Sequence, residues 1–567
     1  MPTIDIESAE LERLLGLSLH GDMAKLDEML ALVKCETKLV DEQEGIISVE
    51  MKDTNRPDLW SVEGLARALK GFQNIKKGLQ VYTVGRPIVD IRVHPRLRNI
   101  RPFIGCCIVK NSQLTDATIR GLMYLQDKLD QTNGRNRQKT SIGLYDFDLI
   151  APPLKYTAVK PNEISFVPLG FTEKMNLREI LDRHPKGIEY GYIVKKHDFY
   201  PILLDAENKV LSFPPIINSN DLGKVTEETR NLLVEVTGTA SETVLNTVKL
   251  LSLALIDHGG KAYSANVHYE HDDSRVVTPS FASTHLRLSV EYTNRILGLD
   301  LKSKRISELL RVAGFGIEYL SENTITVSVP CYRTDVMHQV DLIEDVAIAY
   351  GYNNIEPVWR DLPTTGCVGP DQRLLDKARE LIVGSGFQEI LTYTMTNFDN
   401  LFSRMSIRDK SILGRVVEIA NPKVVTMTCI RNWLLPSLME FFSNNKSIEF
   451  PQRIFELGKI TVVDETQETR TRDENWLAAA VSHPNASFSE IKSVLDSFFM
   501  NLGMGWKIRA VNHPSFIDGR VGAVLVDDAN VGFVGEIKPE VLVAWQLENP
   551  TAAFELNLAS IASRKLL

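Results

Sequence analysis

The chain has few cysteines and no excess of positive charge. Its 567 residues include six cysteines, none in a C-x-x-C pair, and the adjacent Cys106 and Cys107 cannot chelate zinc as a knuckle does. This pattern is typical of a reduced, cytoplasmic compartment. The formal net charge of −9 provides no overall attraction to nucleic acid, so any RNA contact must come from a local patch or a partner.

Long apolar runs are also absent. No segment approaches the ~18 consecutive apolar residues that a membrane span requires. The first residues, MPTIDIESAE, contain neither the basic nor the apolar region of a signal peptide. We therefore expect a cytoplasmic protein that does not act in a membrane.

Length and composition favour a multidomain α+β protein. A chain of this length is expected to form about three to five domains, and 44% apolar residues are enough for several cores. Changes of pattern along the sequence place the boundaries. We expect a small α+β domain over 1–88, a larger unit over 89–272, a third over 273–357 and a fourth over 358–567.

The segment 330–355 concentrates carboxylates. Asp341, Glu344 and Asp345 stand at positions i, i+3 and i+4, which share one face of a helix. Asp335 lies one short connection upstream and can fold back toward that face. Such hard oxygen ligands suit Mg²⁺. The alternative is that acidic residues near a helix N-terminus simply interact favourably with the helix dipole.

The amino-acid sequence of this segment resembles that of one protein family. Arg-x-Asp at 333–335, Asp-Leu-Ile-Glu-Asp at 341–345 and Gly-Tyr-Asn-Asn-Ile at 351–355 closely resemble the β subunit of phenylalanyl-tRNA synthetase. The resemblance implies a Mg²⁺ held by Asp335, Asp341, Glu344 and Asp345 near the contact with the α subunit. Many relatives carry Glu where this chain has Asp345, a change that keeps the charge and shortens the reach.

The region before this motif has the pattern of a small winged-helix-like domain. Helical spacing predicts helices over 287–297 and 304–314, which end at Gly298 and Gly314 as C-cap signals. Alternation over 324–329 predicts a strand. The family resemblance implies the same fold.

A second specific signal lies upstream. SFPPIINSN at 212–220 is followed by LLVEVTGT at 232–239, where Glu235 interrupts an apolar run. A strand carboxylate of this kind is either exposed on one face or buried for recognition, and periodicity favours exposure. Loop 134–140 mimics part of a P-loop but lacks the glycine before lysine, which leaves a solvated loop or an RNA-backbone contact.

The family resemblance implies a function for this region. In archaeal and eukaryotic-type β subunits the two runs line an editing pocket, which removes tyrosine mis-attached to the phenylalanine tRNA. Carried over, the pocket residues are Leu203, Ser212, Glu235 and Thr237. A carboxylate is a good acceptor for the phenol proton of tyrosine. The sequence offers no Cys/His or Ser/His/Asp arrangement nearby, so we expect a positioned water and RNA-assisted hydrolysis.

The last domain has the pattern of an antiparallel sheet with packed helices. One helix around 374–382 precedes strand-like runs, which the resemblance identifies as a class II synthetase-like fold. The runs are 389–396, 415–420, 452–463, 477–482, 507–511, 521–536 and 552–558. Gly503, Gly505 and Arg509 occur in the reverse order of a class II ATP motif, and Arg431 is interpreted as a packing or interface residue.

The combined interpretation is a β subunit of phenylalanyl-tRNA synthetase of the shorter archaeal and eukaryotic type. It implies an (αβ)₂ heterotetramer with an α subunit that binds ATP and makes phenylalanyl-tRNA, with tRNA(Phe) as the other partner. Two alternatives are a free-standing deacylase of mischarged tRNA and a non-enzymatic nucleic-acid-binding protein; the net charge of −9 disfavours the second.

Overall fold

The computed structural model describes residues 2–19, 22–41, 45–359, 364–409 and 415–565. The chain divides into two compact units, 1–359 and 360–567. It is a mixed α/β multidomain protein with several separate sheets.

The first unit begins with a three-stranded antiparallel sheet covered by three helices. Its strand order is β1-β3-β2. The Asp22 carboxylate accepts a hydrogen bond from Lys25 N (3.0 Å) and caps α2. The elements are β1 Thr3–Glu7, α1 Ser8–Leu15, α2 Met23–Ala31, β2 Cys35–Asp41, β3 Ile46–Met51 and α3 Val62–Phe72.

A ten-stranded sheet follows. The elements are β4 Gly85–Val93, β5 Phe103–Lys110, α4 Asp116–Gln131, β6 Thr140–Asp146, β7 Leu154–Val159, β8 Ser165–Phe166, β9 Met175–Asn176, α5 Leu177–Arg183, α6 Pro185–Tyr190, β10 Tyr200–Leu204, β11 Val210–Phe213, β12 Ile217–Asn218, β13 Leu232–Gly238, α7 Ser241–Asp257, β14 Lys261–Tyr269 and β15 Ser274–Thr278. The order is β12-β11-β10-β7-β4-β14-β5-β13-β6, with β15 paired to β14, while β8 and β9 form a separate two-stranded sheet. Because β15 ends at Thr278, this sheet continues past the boundary expected at 272.

Strand β13 lies inside this sheet, between β5 and β6. Leu232, Val234 and Val236 belong to the same core as the leucines of α7, while Leu233 belongs to the core on the opposite face. All seven residues of the strand are consequently buried. This register places Glu235 beside Leu233, on the face away from α7.

The first unit ends with a second three-stranded sheet. Helix α8 ends at Gly298, whose φ of 67° is the left-handed conformation that glycine adopts readily. The strand predicted over 324–329 is confirmed, and both expected helices are present with a strand preceding the first. The elements are β16 Thr284–Ser289, α8 Val290–Leu297, α9 Ser303–Val312, β17 Gly316–Leu320, β18 Thr324–Val329 and α10 Gln339–Tyr350, with strand order β16-β18-β17.

The second unit is built on a seven-stranded sheet, order β19-β22-β23-β27-β26-β25-β24. Its helices are α11 Pro370–Gly384, α12 Leu435–Asn444, α13 Phe488–Leu502, α14 Pro539–Ala544 and α15 Leu558–Lys565. Its strands are β19 Gln388–Glu389, β20 Met395–Thr396, β21 Cys429–Ile430, β22 Gln452–Val463, β23 Thr471–Ser482, β24 Lys507–Ala510, β25 Phe516–Val526, β26 Ala529–Ile537 and β27 Thr551–Asn557.

Three expectations for this unit need correction. The run 389–396 is not one strand but two short ones in different sheets, β19 and β20. The run 415–420 forms no strand; Glu418 makes a single bridge to Cys429. The run 521–536 is not one strand but the two arms of a hairpin, β25 and β26, which turn at Asp527 and Asp528. Both turn residues have positive φ, 49° and 61°, as a tight hairpin turn requires.

Candidate functional site

A cavity of about 260 Å³ opens beside the edge of the ten-stranded sheet. Strand β13 contributes Glu235, and the chain from β11 to β12 contributes Ser212 and Asn218. Arg137 and Lys186 add positive charge to its wall. The cavity therefore has room for part of a small ligand and is lined by one buried carboxylate.

Glu235 is buried, and the expectation from periodicity that it is exposed is wrong. The residue is 2% exposed. Gly143 lies directly opposite it on β6. A Cβ on Gly143 would lie 2.6 Å from Glu235 Oε2 and closer still to the Tyr145 hydroxyl. The missing side chain at Gly143 leaves room for these two groups to meet.

The two oxygens of Glu235 have different surroundings. The Tyr145 hydroxyl donates to Oε2 at 2.9 Å, while Oε1 is buried without a hydrogen-bond partner among the described residues. Burial raises the pKa of Glu235 to about 7, against the opposing effects of the Tyr145 hydrogen bond and the Arg101 charge. One buried oxygen is therefore available to a ligand that brings its own donor.

Arg101 supports the site from behind. Its guanidinium donates to Thr237 Oγ1 (3.1 Å), Thr237 O (2.8 Å) and Ser141 Oγ (3.1 Å). A further bond reaches Arg137 O at 3.0 Å. Burial lowers the pKa of this arginine. The guanidinium thus ties the ends of β6 and β13 to the loop that follows α4.

That loop, 134–139, is held in an unusual backbone conformation. Arg135, Asn136 and Arg137 have φ values of 48°, 51° and 64°. The Arg137 side chain donates to Pro215 O (3.2 Å) and Ile216 O (3.0 Å) and pairs with Asp130 at 3.1 Å. The loop fixes one wall of the cavity.

The structure separates the four predicted pocket residues into two pairs. Ser212 and Glu235 line the cavity. Leu203 lies across from Ser212 in the β10–β11 pair and is fully buried in the core. Thr237 is fully buried and bound to Arg101. Leu203 and Thr237 therefore support the wall and do not form its surface.

The sequence-based interpretation missed Tyr145, Arg101 and Gly143. Nothing in the local pattern distinguishes Tyr145 from any other tyrosine in a strand. A glycine inside a strand does indicate close approach of another group, and Gly143 was the available signal. Its meaning depends on the pairing of β6 with β13, about ninety residues away.

The acidic motif forms a second site. Asp335, Asp341, Glu344 and Asp345 all line one small cavity of about 50 Å³, together with Arg333. The Arg333 guanidinium donates to Asp335 Oδ2 and Asp345 Oδ2, each at 2.7 Å. Burial acts to raise the pKa of Asp335, but Arg333 and Arg56 outweigh it and the pKa is lowered.

The other two carboxylates are also engaged. Asp341 Oδ2 accepts from Met337 N (2.8 Å) and His338 N (2.7 Å) at the start of α10. Glu344 pairs with Lys34, which also contacts Asp53 at 2.8 Å. One acid thus caps the helix, in line with the helix-dipole alternative, and the other three are paired with Arg333 and Lys34.

The donor set does not fit Mg²⁺ in this arrangement. Among the described residues, no group of three or more His, Cys, Asp or Glu side chains is placed so that it could hold a metal ion. Arg333 and Lys34 occupy the positions from which a cation would neutralise the cluster. A metal would have to displace these ion pairs.

The sheet of the second unit contains buried charges that are satisfied within the protein. Arg431 pairs with Glu456 at 2.8 Å and donates to Thr392 Oγ1 at 2.7 Å, as expected for a packing residue. Glu555 accepts from Leu434 N (2.7 Å) and Leu435 N (2.9 Å) at the start of α12. Burial raises the pKa of Glu555 to about 7.

Among the described residues, no helix is long and apolar enough to cross a membrane.

Two family models match the chain. Residues 286–352 match the tRNA synthetase B5 domain, and residues 355–558 match the phenylalanyl tRNA synthetase beta chain CLM domain. The first match spans β16 to α10, including the acidic motif. The second covers nearly all of the seven-stranded unit.

Full-length relatives are similar over the whole chain. The phenylalanine–tRNA ligase beta subunit of Pyrococcus furiosus is 42% identical over 98% of this chain and 99% of its own. That of Archaeoglobus fulgidus is 38% identical over 99% and 98%. A crystal structure of an N-terminal fragment of the phenylalanyl-tRNA synthetase beta subunit from Pyrococcus horikoshii has a TM-score of 0.60 and 39% identity, covering 62% of this chain and all of that fragment.

Proposed function

The chain belongs to the phenylalanine–tRNA ligase β-subunit family, and from this membership we propose that its ten-stranded sheet carries an editing site that hydrolyses tyrosine mis-attached to tRNA(Phe). The observation that carries the proposal is Glu235. Its carboxylate is buried beside a cavity, and one oxygen lacks a hydrogen-bond partner among the described residues.

The chemistry of Glu235 suits discrimination between tyrosine and phenylalanine. These amino acids differ by one hydroxyl, and an ionised carboxylate accepts a phenol proton well. A site built to bond a hydroxyl rejects the analogue that lacks it by about 10⁴–10⁵. Phenylalanine would leave the buried Glu235 Oε1 unpaired, which penalises its entry and protects the correct product.

The dimensions of the cavity agree with this role. Ligand pockets are usually about 300–1,000 Å³, so a cavity of about 260 Å³ is suited to a single amino-acid side chain. The rest of the substrate, including the RNA, would remain outside it.

Hydrolysis there would use water. Among the described residues that line the cavity there is neither a cysteine nor a histidine, and Ser212 Oγ makes no hydrogen bond to a base. The protein's part would be to bind the side chain and orient the ester, while water attacks the ester carbonyl with help from the RNA. Burial of Glu235 excludes bulk water from the phenol end of the ligand.

Synthesis of phenylalanyl-tRNA would take place on an α subunit that binds ATP, in an (αβ)₂ assembly in the cytoplasm. In this proposal the region of the ten-stranded sheet, 85–278, forms the editing domain and 1–84 a small α+β support. Residues 279–357 form the winged-helix-like domain, and 358–567 a class II-like domain without ATP chemistry. The absence of class II ATP motifs after residue 365 in the sequence supports this division.

Mg²⁺ at Asp335, Asp341, Glu344 and Asp345 stays a prediction. It is supported by the meeting of all four carboxylates at one cavity. It requires that Arg333 and Lys34 release their partners. If bound, the ion would neutralise the cluster and steady the contact with the α subunit.

The editing proposal is tested by deacylation of pre-formed Tyr-tRNA(Phe) with the assembled enzyme. Glu235→Ala should slow clearance by about ten- to a hundred-fold, the effect of one lost charged hydrogen bond, while phenylalanine charging stays near normal. Glu228→Ala, which changes an exposed carboxylate of the same domain, is the matched control. Equal clearance by wild type and Glu235→Ala would remove Glu235 from the proposed site.

A further inference from the structure

Tyr145 is the neighbour of Glu235 that the sequence interpretation did not use. Its ring is fully buried on β6, and its hydroxyl donates to Glu235 Oε2 at 2.9 Å. We propose that Tyr145 is a positioning residue of the editing site: its phenol engages Oε2 and leaves Oε1 to accept the hydroxyl of the ligand. This inference rests on the proposed editing function.

The register of the sheet makes this contact specific. Gly143 and Tyr145 lie two residues apart on β6 and share one face, which is the face of Glu235 on β13. Any Cβ at Gly143 would collide with both the Tyr145 hydroxyl and Glu235 Oε2. The pair therefore depends on a glycine at the position of β6 that is directly opposite the carboxylate.

The same hydroxyl reaches a second cavity residue. Tyr145 Oη lies 3.4 Å from Asn218 Oδ1, and Asn218 lines the cavity on β12. One phenol thus contacts polar side chains on two strands that are not neighbours in the sheet. The single phenol proton is donated to Glu235, so the approach to Asn218 Oδ1 is a close polar contact without a second donated bond.

A carboxylate side chain that is free to rotate would present either oxygen to the cavity or turn away from it. The bond from Tyr145 restrains this rotation, because turning the carboxylate away would break the hydrogen bond at Oε2. Since the phenol has a single proton to donate, Oε1 stays unbonded. Burial and the charge of Glu235 raise the pKa of Tyr145 well above its usual value, so it stays a donor over the working pH range. Pre-organisation of this kind raises selectivity, because the Glu235 side chain is already ordered in the folded protein and loses little further conformational entropy when the ligand binds.

The pH dependence follows from the groups around Glu235. The Tyr145 bond lowers the pKa of Glu235 against burial, so Tyr145→Phe should raise that pKa further. The other ionisable groups that face Glu235 from neighbouring elements are Arg101, Cys106, Asp130 and Tyr156. Those that share the cavity wall with it are Asp127, Arg137 and Lys186. Tyr145→Phe leaves all of them in place.

The test compares Tyr145→Phe with Tyr269→Phe in the assembled enzyme. Tyr269 is also buried and bonds through its hydroxyl to the backbone at Ile104, away from Glu235. We expect Tyr145→Phe to reduce kcat/KM for Tyr-tRNA deacylation by about ten-fold. Its pH profile should move to higher pH, and phenylalanine charging should be unchanged. Tyr269→Phe should leave the profile where it is.

A double-mutant cycle with Glu235→Gln supplies the second measurement. If Tyr145 acts through Glu235, adding Tyr145→Phe to Glu235→Gln should cost much less than ten-fold. Equal losses in both backgrounds, or a uniform loss of rate with no movement of the pH profile, would overturn the positioning role. So would Tyr145→Phe behaving as wild type.

The outcomes separate this inference from the function beneath it. Loss of editing in Glu235→Ala together with wild-type editing in Tyr145→Phe would refute the positioning role and leave the editing site standing. A wild-type assembled enzyme that fails to clear Tyr-tRNA would refute the editing function, and the positioning role with it.

Discussion

At the scale of single residues, three buried carboxyl groups have pKa values well above those of exposed carboxyl groups. Burial raises the pKa of Asp130, Glu235 and Glu555 to about 7 in each case. The folded protein therefore holds protons on these groups that the unfolded chain would release above pH ~4. Their contribution to stability is present at low pH and is lost as pH rises toward 7.

This linkage predicts a stabilising substitution at the proposed site. Glu235→Gln keeps the shape and an oxygen for the Tyr145 hydroxyl but cannot ionise. Above pH 7 it should raise the stability of β13 by up to about 3 kcal/mol, and below pH ~4.5 the difference should vanish. Hydrogen exchange of peptides from β13, compared at pH 5 and pH 8, measures it.

A constant difference at both pH values would mean that Glu235 stays in one protonation state throughout. If the stability of β13 rises in Glu235→Gln as predicted, the wild-type protein retains at position 235 a carboxylate that destabilises it above pH 7. Such retention is expected where function requires a group that stability does not favour.

At the scale of elements, the loop 134–139 depends on one arginine. Arg137 supplies two bonds to the chain near β12 and the ion pair to buried Asp130, and its guanidinium stacks on Tyr190 at 4.5 Å. Because these partners use the Arg137 side chain, it is not free for RNA. The basic side chains left for such a contact are those of Arg135 and Lys139.

Arg137→Ala should therefore loosen the loop and the cavity wall together. Breaking a buried ion pair costs about 3–5 kcal/mol, and protonation of Asp130 would reduce this loss below pH 7. Faster hydrogen exchange over 134–140 and in the segment before β12 is the expected result. Arg135→Gln, on an exposed neighbour, should change exchange little; equal effects of the two variants would contradict the assignment.

The elements that the sequence predicted well are those whose pattern is local. The alternating pattern over 324–329 predicted β18 with its observed bounds. The strand-like run over 452–463 likewise predicted β22 with its observed bounds. Glu235 was misjudged because burial of both faces of β13 depends on β5, β6 and α7, which the strand itself does not encode. Tyr145 was missed for the same reason, since its role exists only through the β6–β13 register.

At the scale of the whole molecule, the acidic motif joins separate parts of the first unit. Lys34, beside the first sheet, contacts Glu344 on α10. Arg56, in the turn before α3, pairs with Asp58 at 2.8 Å and lies 3.7 Å from Asp335. The carboxylates predicted from sequence to bind metal thus already link the first three-stranded sheet to α10.

Arg333 and a metal should compete for these carboxylates. Arg333→Gln removes the guanidinium shared by Asp335 and Asp345, leaving a buried acid, Asp345, and a partly buried one, Asp335, that attract a divalent cation. We expect Mn²⁺ to bind the variant more tightly than wild type, measured by anomalous scattering from crystals of the assembled enzyme. Lys302→Gln, an exposed cation of the same domain, is the control.

An anomalous peak among the four carboxylates of the wild-type enzyme would show that assembly rearranges Arg333. The absence of a peak in both proteins would assign the cluster to ion pairing alone.

The last prediction concerns the proposed division of functions, with synthesis on the α subunit and editing on this chain. The buried charges on the sheet of the second unit are paired with each other or with backbone groups, and the sequence after residue 365 lacks class II ATP motifs. The purified chain should therefore catalyse no ATP–pyrophosphate exchange, and adding the α subunit should restore exchange that depends on phenylalanine. Glu235→Ala should leave restored exchange intact, because the proposed editing cavity lies in the first unit. Exchange by the chain alone would contradict the division, and loss of exchange in Glu235→Ala would show that this residue supports assembly and does not act in editing alone.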